Sequence, residues 1–219
     1  MTTHRTRPFS SSQRLPGLDE PLVLHEPEQA GDLLADFIHR YPKLLILTGA
    51  GVSTDSDIPD YRDGEGAWKR KQPVQHRDFM ESYETRQRYW GRSLIGWPMM
   101  RNATPNPSLR IRTWISRGFV WQIAPQCSGI LKPDVVFFGD YVPKQRVHSA
   151  LDALKASDGL LVIGSSLMVY SGFRFCRYAK EFGKPIATLN LGRTRAEELA
   201  DLKLNARIGE TLKVSLDQL

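Results

Sequence analysis

Continuous apolar runs alternate along this chain with stretches in which apolar residues recur every three or four positions. The continuous runs occupy 44–47 and 160–163, and a further strand is predicted at 186–191. Such runs are typical of strands that are buried on both faces of a sheet. The helical spacing occupies roughly 33–38, 77–94, 144–156 and 173–182. Because strands and helices alternate, the pattern predicts an α/β fold with a parallel, doubly wound sheet of the Rossmann type.

Small and polar residues follow each predicted strand. The three turns are 49–53, 164–166 and 190–192. Ligands of doubly wound sheets bind beyond the carboxyl ends of the strands, so we expect the turns to converge on one crevice. In the first turn, Gly49, Ala50 and Gly51 leave room for backbone N–H groups to approach a phosphate at a helix N-terminus. Each turn alone is equally typical of a strand end without a ligand.

A polar loop from 57 to about 75 follows the first turn, and its Pro, Gly and Asp residues predict a mobile lid. GAGVS at 49–53 and IPDYR at 58–62 together resemble the GAGxS…GIPDFR signature of the sirtuins, the NAD-dependent protein-lysine deacylases. The similarity runs from about 33 to about 212 with one interruption. The similarity to the family continues at 132–139, 164–167 and 190–192. Three further segments, 87–90, 96–98 and 169–175, are most similar to the class II, sirtuin-4-like branch.

The resemblance implies NAD as cofactor. The residues that it assigns to the cofactor site are Gly49, Ala50, Gly51, Ser53, Ile58, Asp60, Arg62, Gly164, Ser165, Ser166, Asn190, Leu191, Gly192 and Ile208. The nicotinamide end would lie beside the residues at 50, 58, 60 and 62. The two serines would bind phosphate or ribose, Asn190 the adenine ribose, and the backbone of Ile208 would lie near adenine.

The resemblance also implies an acyl-lysine peptide as substrate, whose acyl oxygen attacks the ribose as nicotinamide leaves. That reaction needs a dry pocket that orients both partners. The residues assigned to the peptide are Val135, Val136, Phe137, Phe138, Gly139 and Val169. The peptide would lie as an added strand between 135–139 and 168–170. A hydrophobic core strand is the alternative for 135–139, and both interpretations can hold.

A sirtuin needs a general base, which the family supplies as a histidine in an HG motif after a QNVD segment. Neither motif occurs in this chain. The histidines are His4, His25, His39, His76 and His148, and none has the required context. We therefore assign no catalytic residue and expect the deacylase activity to be impaired or absent.

The family's small zinc module uses two Cys-x-x-Cys pairs. Here Cys127 resembles the end of the last pair, while Ala124 stands where its partner would be. One thiolate cannot build a structural zinc site, so we predict no zinc. The family pattern is interrupted at about 107–125, where 111–116 resembles the strand that leads into QNVD and 117–121 matches nothing. The simplest interpretation is an internal deletion, natural or introduced by a faulty gene model.

Asp57 stands where the family usually places glycine before Ile-Pro-Asp. If the backbone there has a positive φ, aspartate strains the turn less than most residues would.

Composition fits one globular domain, with 219 residues, 41% hydrophobic and 25% charged. The net charge of +6 could indicate an acidic partner or cofactor phosphate, but the basic residues are scattered, which does not support nucleic-acid binding. No apolar run is long enough for a membrane span. The oligomeric state stays open.

Residues 1–28 are rich in Ser, Arg, Pro and Gln and predict a disordered tail before a domain at 29–219. A mitochondrial transit peptide is the alternative. The two cysteines are far apart and fit a reducing compartment. We therefore expect a cytoplasmic location, with the mitochondrial matrix as the alternative.

Two function classes remain. The first is a deacylase by descent that has lost its base. The second is a non-catalytic NAD or ADP-ribose sensor, or an interaction protein, built on the same domain. An unstable chain is a third outcome, because a deletion would expose apolar surface.

Overall fold

A computed structural model of the chain describes residues 22–69, 71–106, 130 and 132–219. The helices are α1 (Pro27–Arg40), α2 (His76–Glu81), α3 (Tyr83–Asn102), α4 (Lys144–Ala156), α5 (Tyr170–Glu181) and α6 (Ile208–Leu216). The strands are β1 (Leu44–Thr48), β2 (Gly159–Ile163), β3 (Ile186–Leu189) and β4 (Leu202–Leu204). A 3₁₀ helix, Ala50–Ser56, follows β1. No helix of the described parts combines the length and apolarity that a membrane crossing requires.

The four strands form one parallel sheet in the order β1-β2-β3-β4. In its register Leu44 lies opposite Gly159, Leu160 opposite Ile186, and Ala187 opposite Leu202. Parallel pairing brings the carboxyl ends of all strands to one edge of the sheet. The predicted parallel, Rossmann-like α/β fold is confirmed.

Helices cover both faces of the sheet. Because side chains alternate along a strand, Leu161 and Ile163 of β2 join the core beneath α1 and α6. Leu160 and Val162 join the core beneath α5 on the opposite face. All five residues of β2 are buried, as a central parallel strand requires.

β1 differs from the expectation of a strand buried on both faces. It is an outer strand of the described sheet, and Ile46 is 44% exposed. An apolar run alone does not show how completely the packed helices cover each face of its strand. The structure also divides the predicted helix over 77–94 at Ser82, whose Oγ accepts the N–H of Thr85 at 3.1 Å and begins α3.

The tail boundary predicted at 28 falls within α1. α1 already begins at Pro27, and the His25 N–H donates to the Asn205 carbonyl at 2.9 Å. The Asn205 side chain donates in turn to the Val23 carbonyl at 3.0 Å. Residues 23–28 therefore pack on the domain. Residues 1–21 lie outside the described residues, as do Ala124, Cys127 and the interruption at 107–125.

Candidate functional site

A cavity of about 570 Å³ lies at the carboxyl edge of the sheet, where the predicted turns after β1, β2 and β3 meet. Twelve of the site residues predicted from the sequence line this cavity: Ala50, Gly51, Asp60, Arg62, Phe138, Gly164, Ser165, Ser166, Val169, Asn190, Leu191 and Ile208. The convergence follows from parallel pairing, which places these turns side by side. The volume is in the range of ordinary ligand sites.

The first two turns contact each other through backbone. The Gly49 N–H donates to the Ile163 carbonyl at 2.9 Å, and the Gly51 N–H donates to the Gly164 carbonyl at 2.8 Å. A Cβ on Gly49 would lie 2.4 Å from the Gly164 oxygen. Close packing of two turns thus explains the small residues here, and these two N–H groups bond within the protein.

The buried side chain of Asn106 stabilises the 3₁₀ helix through two hydrogen bonds. Its side-chain nitrogen donates to the Val52 carbonyl and to the Ser56 hydroxyl, each at 2.9 Å. The helix ends at Asp57, whose φ of 60° and ψ of 17° are left-handed. The positive φ considered for Asp57 is therefore present.

The 3₁₀ helix also contacts the first residues of α6. An Asp55 carboxylate oxygen accepts the N–H of Gly209 at 3.2 Å. An acidic group is favourable at this position because the first N–H groups of a helix carry partial positive charge. Ile208 and Arg207, which begin α6, line the cavity beside Asp55.

The loop at 57–75, which follows the 3₁₀ helix, forms another wall of the cavity. The guanidinium of Arg62 lies 3.6 Å from the centre of the Trp68 ring, and its Nη1 donates to the Gly66 carbonyl at 2.6 Å. Burial lowers the pKa of Arg62, and the charge of Asp63 opposes that shift. Asp60 forms an ion pair with Lys69. The loop is thus organised by its own side chains.

The tip of this loop is attached to the segment after β3. The Arg193 N–H donates to the Gly64 carbonyl at 2.8 Å. Gly192 has a φ of +116°, and a Cβ on it would lie 2.6 Å from Gly64 Cα. The Gly192 N–H donates to Asn205 Oδ1 at 2.8 Å. The loop therefore spans from the β1 side of the cavity to the β3 side.

In the segment 135–139, two adjacent phenylalanines have different surroundings. Phe138 lines the cavity with Tyr61 and Trp68, whose ring centroids lie 5.8 and 5.7 Å away. Phe137 is buried against Phe79, with centroids 4.9 Å apart. The segment has one isolated bridge, Gln75 to Phe138, rather than a strand. Val135 and Val136 are exposed, while Val169 lines the cavity.

Some predicted cofactor residues support the cavity without lining it. Gly49 and Gly192 make the turn contacts described above, and the Ser53 carbonyl accepts the N–H of Ile58 at 3.3 Å. Gly139, which was assigned to the peptide, also does not line the cavity and lies beside Gln75. Sequence reasoning missed other lining residues, namely Thr54, Asp55, Tyr61, Asp63, Gly64, Trp68, Lys69 and Arg207. Most of these residues lie in the loop predicted as a lid at 57–75. The prediction that this loop lies over the cofactor could therefore have identified them.

No histidine is found among the described residues that line the cavity. His76, adjacent to the cavity wall, has its Nε2 3.8 Å from Asp140 Oδ2. Within the described parts, no group of three or more His, Cys, Asp or Glu residues is arranged to hold a metal ion.

Comparison with known proteins identifies relatives of this chain. The Sir2 family model matches residues 118–171, which include 118–125 of the segment where we expected the family pattern to be interrupted. An NAD-dependent protein deacetylase of Xanthomonas campestris pv. campestris (strain 8004) is 37% identical over 264 residues, which cover 84% of this chain and 90% of the relative. The human mitochondrial NAD-dependent protein lipoamidase sirtuin-4 is 35% identical, covering 85% of this chain and 86% of the relative.

Solved structures show the same fold. One from a study of the mechanism and regulation of Sir2 enzymes superposes with a TM-score of 0.68 at 21% identity, over 88% of this chain and 97% of the other. At that identity the likeness concerns the fold alone. The matches to the bacterial and human relatives extend over most of both chains, so this chain belongs to the Sir2 family, the sirtuins.

Proposed function

We propose that the cavity binds NAD and that the chain is a sirtuin-type protein-lysine deacylase by descent, impaired by loss of its catalytic base. The observation that carries the proposal is the convergence of three strand-end turns and one attached loop on a single cavity. Relatives named as NAD-dependent deacetylases and a lipoamidase support both the cofactor and the family activity.

The residues present fit a dinucleotide. Ser165 and Ser166 offer hydroxyl groups where the first two turns meet, and they would hold phosphate or ribose. Asn190 would bind the adenine ribose, with its side chain oriented by donation to the Gly192 carbonyl at 2.9 Å. Ile208 and Asp55 lie at the α6 end, where adenine would lie.

The nicotinamide end would lie against Ala50, Asp60 and Arg62. When bound, NAD supplies the ribose carbon that accepts the acyl oxygen as nicotinamide leaves. The attached loop and the Trp68 and Phe138 rings would exclude water from that end of the cavity. The Arg62 guanidinium is held in one orientation by Trp68, so the wall needs little rearrangement on binding.

Three observations support the proposed impairment. The sequence lacks the HG and QNVD motifs. No histidine lines the cavity within the described residues. The alignment with the Xanthomonas relative extends over 264 residues although this chain has 219, so it requires gaps, which supports an internal deletion. The same observations favour the alternative, a non-catalytic NAD or ADP-ribose binder.

Two measurements test the proposal. Millimolar NAD should raise the melting temperature, because a ligand in excess of its Kd stabilises the folded state. At a ligand concentration of 100 Kd the free energy of unfolding increases by about 2.7 kcal/mol. Nicotinamide release with an acetyl-lysine peptide should be far below that of the Xanthomonas relative assayed beside it. Absence of a thermal shift would exclude the NAD site, and equal rates would exclude the impairment.

A further inference from the structure

A face rich in arginine begins at the cavity mouth. Val169 lines the cavity and directly precedes α5. Tyr170, Arg174 and Arg177 follow at i, i+4 and i+7, which places them on one face of that helix. The Arg174 guanidinium lies 5.9 Å from the centre of the Tyr170 ring, and its Nε donates to the Ser171 carbonyl at 3.2 Å. Arg174 therefore bends back toward Val169.

Arg195 adds a third guanidinium from the segment after β3. It lies 4.3 Å from the centre of the Phe173 ring, and its Nη1 is 3.5 Å from the Met168 carbonyl. Burial lowers the pKa of Arg195, Tyr170 opposes that shift, and Arg177 lowers it further. The positive charges of Arg177 and Arg195 therefore act on each other.

The single acidic residue of α5 lies at the other end of the helix. Glu181 is the last residue of the helix, and Asp201 beside it pairs with Lys180 at 2.8 Å. Among the described residues, no carboxylate forms an ion pair with Arg174 or Arg177. The face defined by Arg174, Arg177 and Arg195, the α5 arginine face, thus concentrates positive charge beside the cavity mouth.

We propose that the α5 arginine face binds acidic residues that flank the acyl-lysine of the substrate peptide. The inference rests on the proposed function, because the peptide is expected beside Val169. Arginine is suited to this role, since its guanidinium can pair with both oxygens of a carboxylate.

The dimensions agree with contact near the acyl-lysine. From Val169 to Arg174 the helix rises about 7.5 Å, and an extended peptide advances roughly 3.3 Å per residue. Acidic residues of the peptide that stand two or three positions before, or two or three positions after, the acyl-lysine would therefore reach Arg174. The net charge of +6 favours approach of such a peptide. Nucleic acid is the less favoured partner, because the face adjoins a cavity mouth rather than a basic groove.

The test compares binding of labelled peptides by fluorescence anisotropy at low salt with NAD present. One acetyl-lysine peptide carries Asp at the second and third positions on one side, a second carries Asp on the other side, and a third carries Ser throughout. A non-acetylated copy of each Asp peptide and a single-stranded RNA of the same length complete the set.

The variant Arg174→Gln/Arg177→Gln removes two charges from the face. The matched control, Arg40→Gln/Lys213→Gln, removes two charges from exposed positions on α1 and α6. The thermal shift with NAD, measured for each protein, shows whether it is folded and binds cofactor.

We expect one acetylated Asp peptide to bind about fivefold more tightly than the Ser peptide. The face variant should lose this preference and the control should retain it. Equal binding of all acetylated peptides, or equal loss in both variants, would overturn the inference while leaving the proposed function intact. Tighter binding of the RNA, or Asp preference without acetylation, would also overturn it. No peptide binding despite an NAD shift would overturn it together with the peptide part of the proposed function.

Discussion

The guanidinium of Arg62 lies 3.6 Å from the centre of the Trp68 ring, across the wall of the cavity that we assign to NAD. Burial lowers the pKa of Arg62, so the charge is partly desolvated, and a cation–π contact is strongest under that condition. The pair links the IPDYR motif to a residue six positions later, and it orders the loop between them.

Replacing this ring tests the pair. Trp68→Ala should weaken NAD binding about tenfold, because loss of a desolvated cation–π contact costs on the order of 1–2 kcal/mol. Trp68→Phe should retain most of the affinity, since it keeps a ring face. Isothermal titration with NAD measures both. Equal loss in the two variants would show that the indole is needed for another reason.

The attachment of the loop tip can be tested at Gly192. Gly192→Ala should lower NAD affinity roughly tenfold, because its Cβ would lie 2.6 Å from Gly64 Cα and would displace the loop. Gly183→Ala is the matched control, since Gly183 also has a positive φ, +65°, but has nothing within 4 Å of an added Cβ. The control should lose stability through backbone strain and keep its NAD affinity. If both variants bind NAD equally, the loop contact does not shape the site.

The left-handed backbone at Asp57 gives a stability prediction. Asp57→Gly should raise the free energy of unfolding by about 0.5 kcal/mol, because glycine adopts positive φ without a Cβ clash. Asp57→Ala should lower it. The midpoint of urea unfolding compares the three proteins. A glycine variant less stable than the parent would mean that the Asp57 side chain makes a stabilising interaction.

The zinc prediction is checked by metal analysis and chelation. We expect the purified protein to contain no stoichiometric zinc and to keep its melting temperature within about 1 °C in excess EDTA. Cys127→Ser should have the same melting temperature as the parent. One bound zinc per chain, or unfolding on chelation, would contradict the prediction.

The proposed deletion can be tested by inserting the block that it would have removed. Replacing residues 107–125 with the corresponding block of the Xanthomonas relative should raise lysine-dependent nicotinamide release at least about 100-fold, the range of a general base. The same block with its HG histidine changed to alanine is the control and should stay inactive. A folded chimera that binds NAD but lacks activity would show that another residue is also missing.

Sequence reasoning predicted the parts of the site that depend on strand order. Turns at 49–53, 164–166 and 190–192 converge because parallel strands end at one edge, and this follows from alternation of strands and helices alone. The contacts between loops could not be predicted in the same way. Gly64 and Gly192 meet only when the chain has folded, and nothing in their local sequence indicates the other.

The two phenylalanines at 137 and 138 illustrate the same limit. Adjacent aromatic residues predict burial, but only the bridge from Gln75 fixes Phe138 toward the cavity and Phe137 toward Phe79. The pattern was compatible with either a core strand or a peptide site. Phe137 lies in the core and Phe138 at the cavity, and the peptide role of the segment stays a prediction.

The exposed position of β1 has a consequence for the protein in solution. Within the described sheet, Leu44–Thr48 pairs with β2 alone, and Ile46 is 44% exposed. The outer edge of such a strand presents backbone N–H and C=O groups on which a further strand can pair, supplied either by residues of this chain beyond the described ranges or by a second molecule. If the partner at this edge is a second molecule, pairing increases with protein concentration, whereas pairing with a segment of the same chain does not depend on concentration.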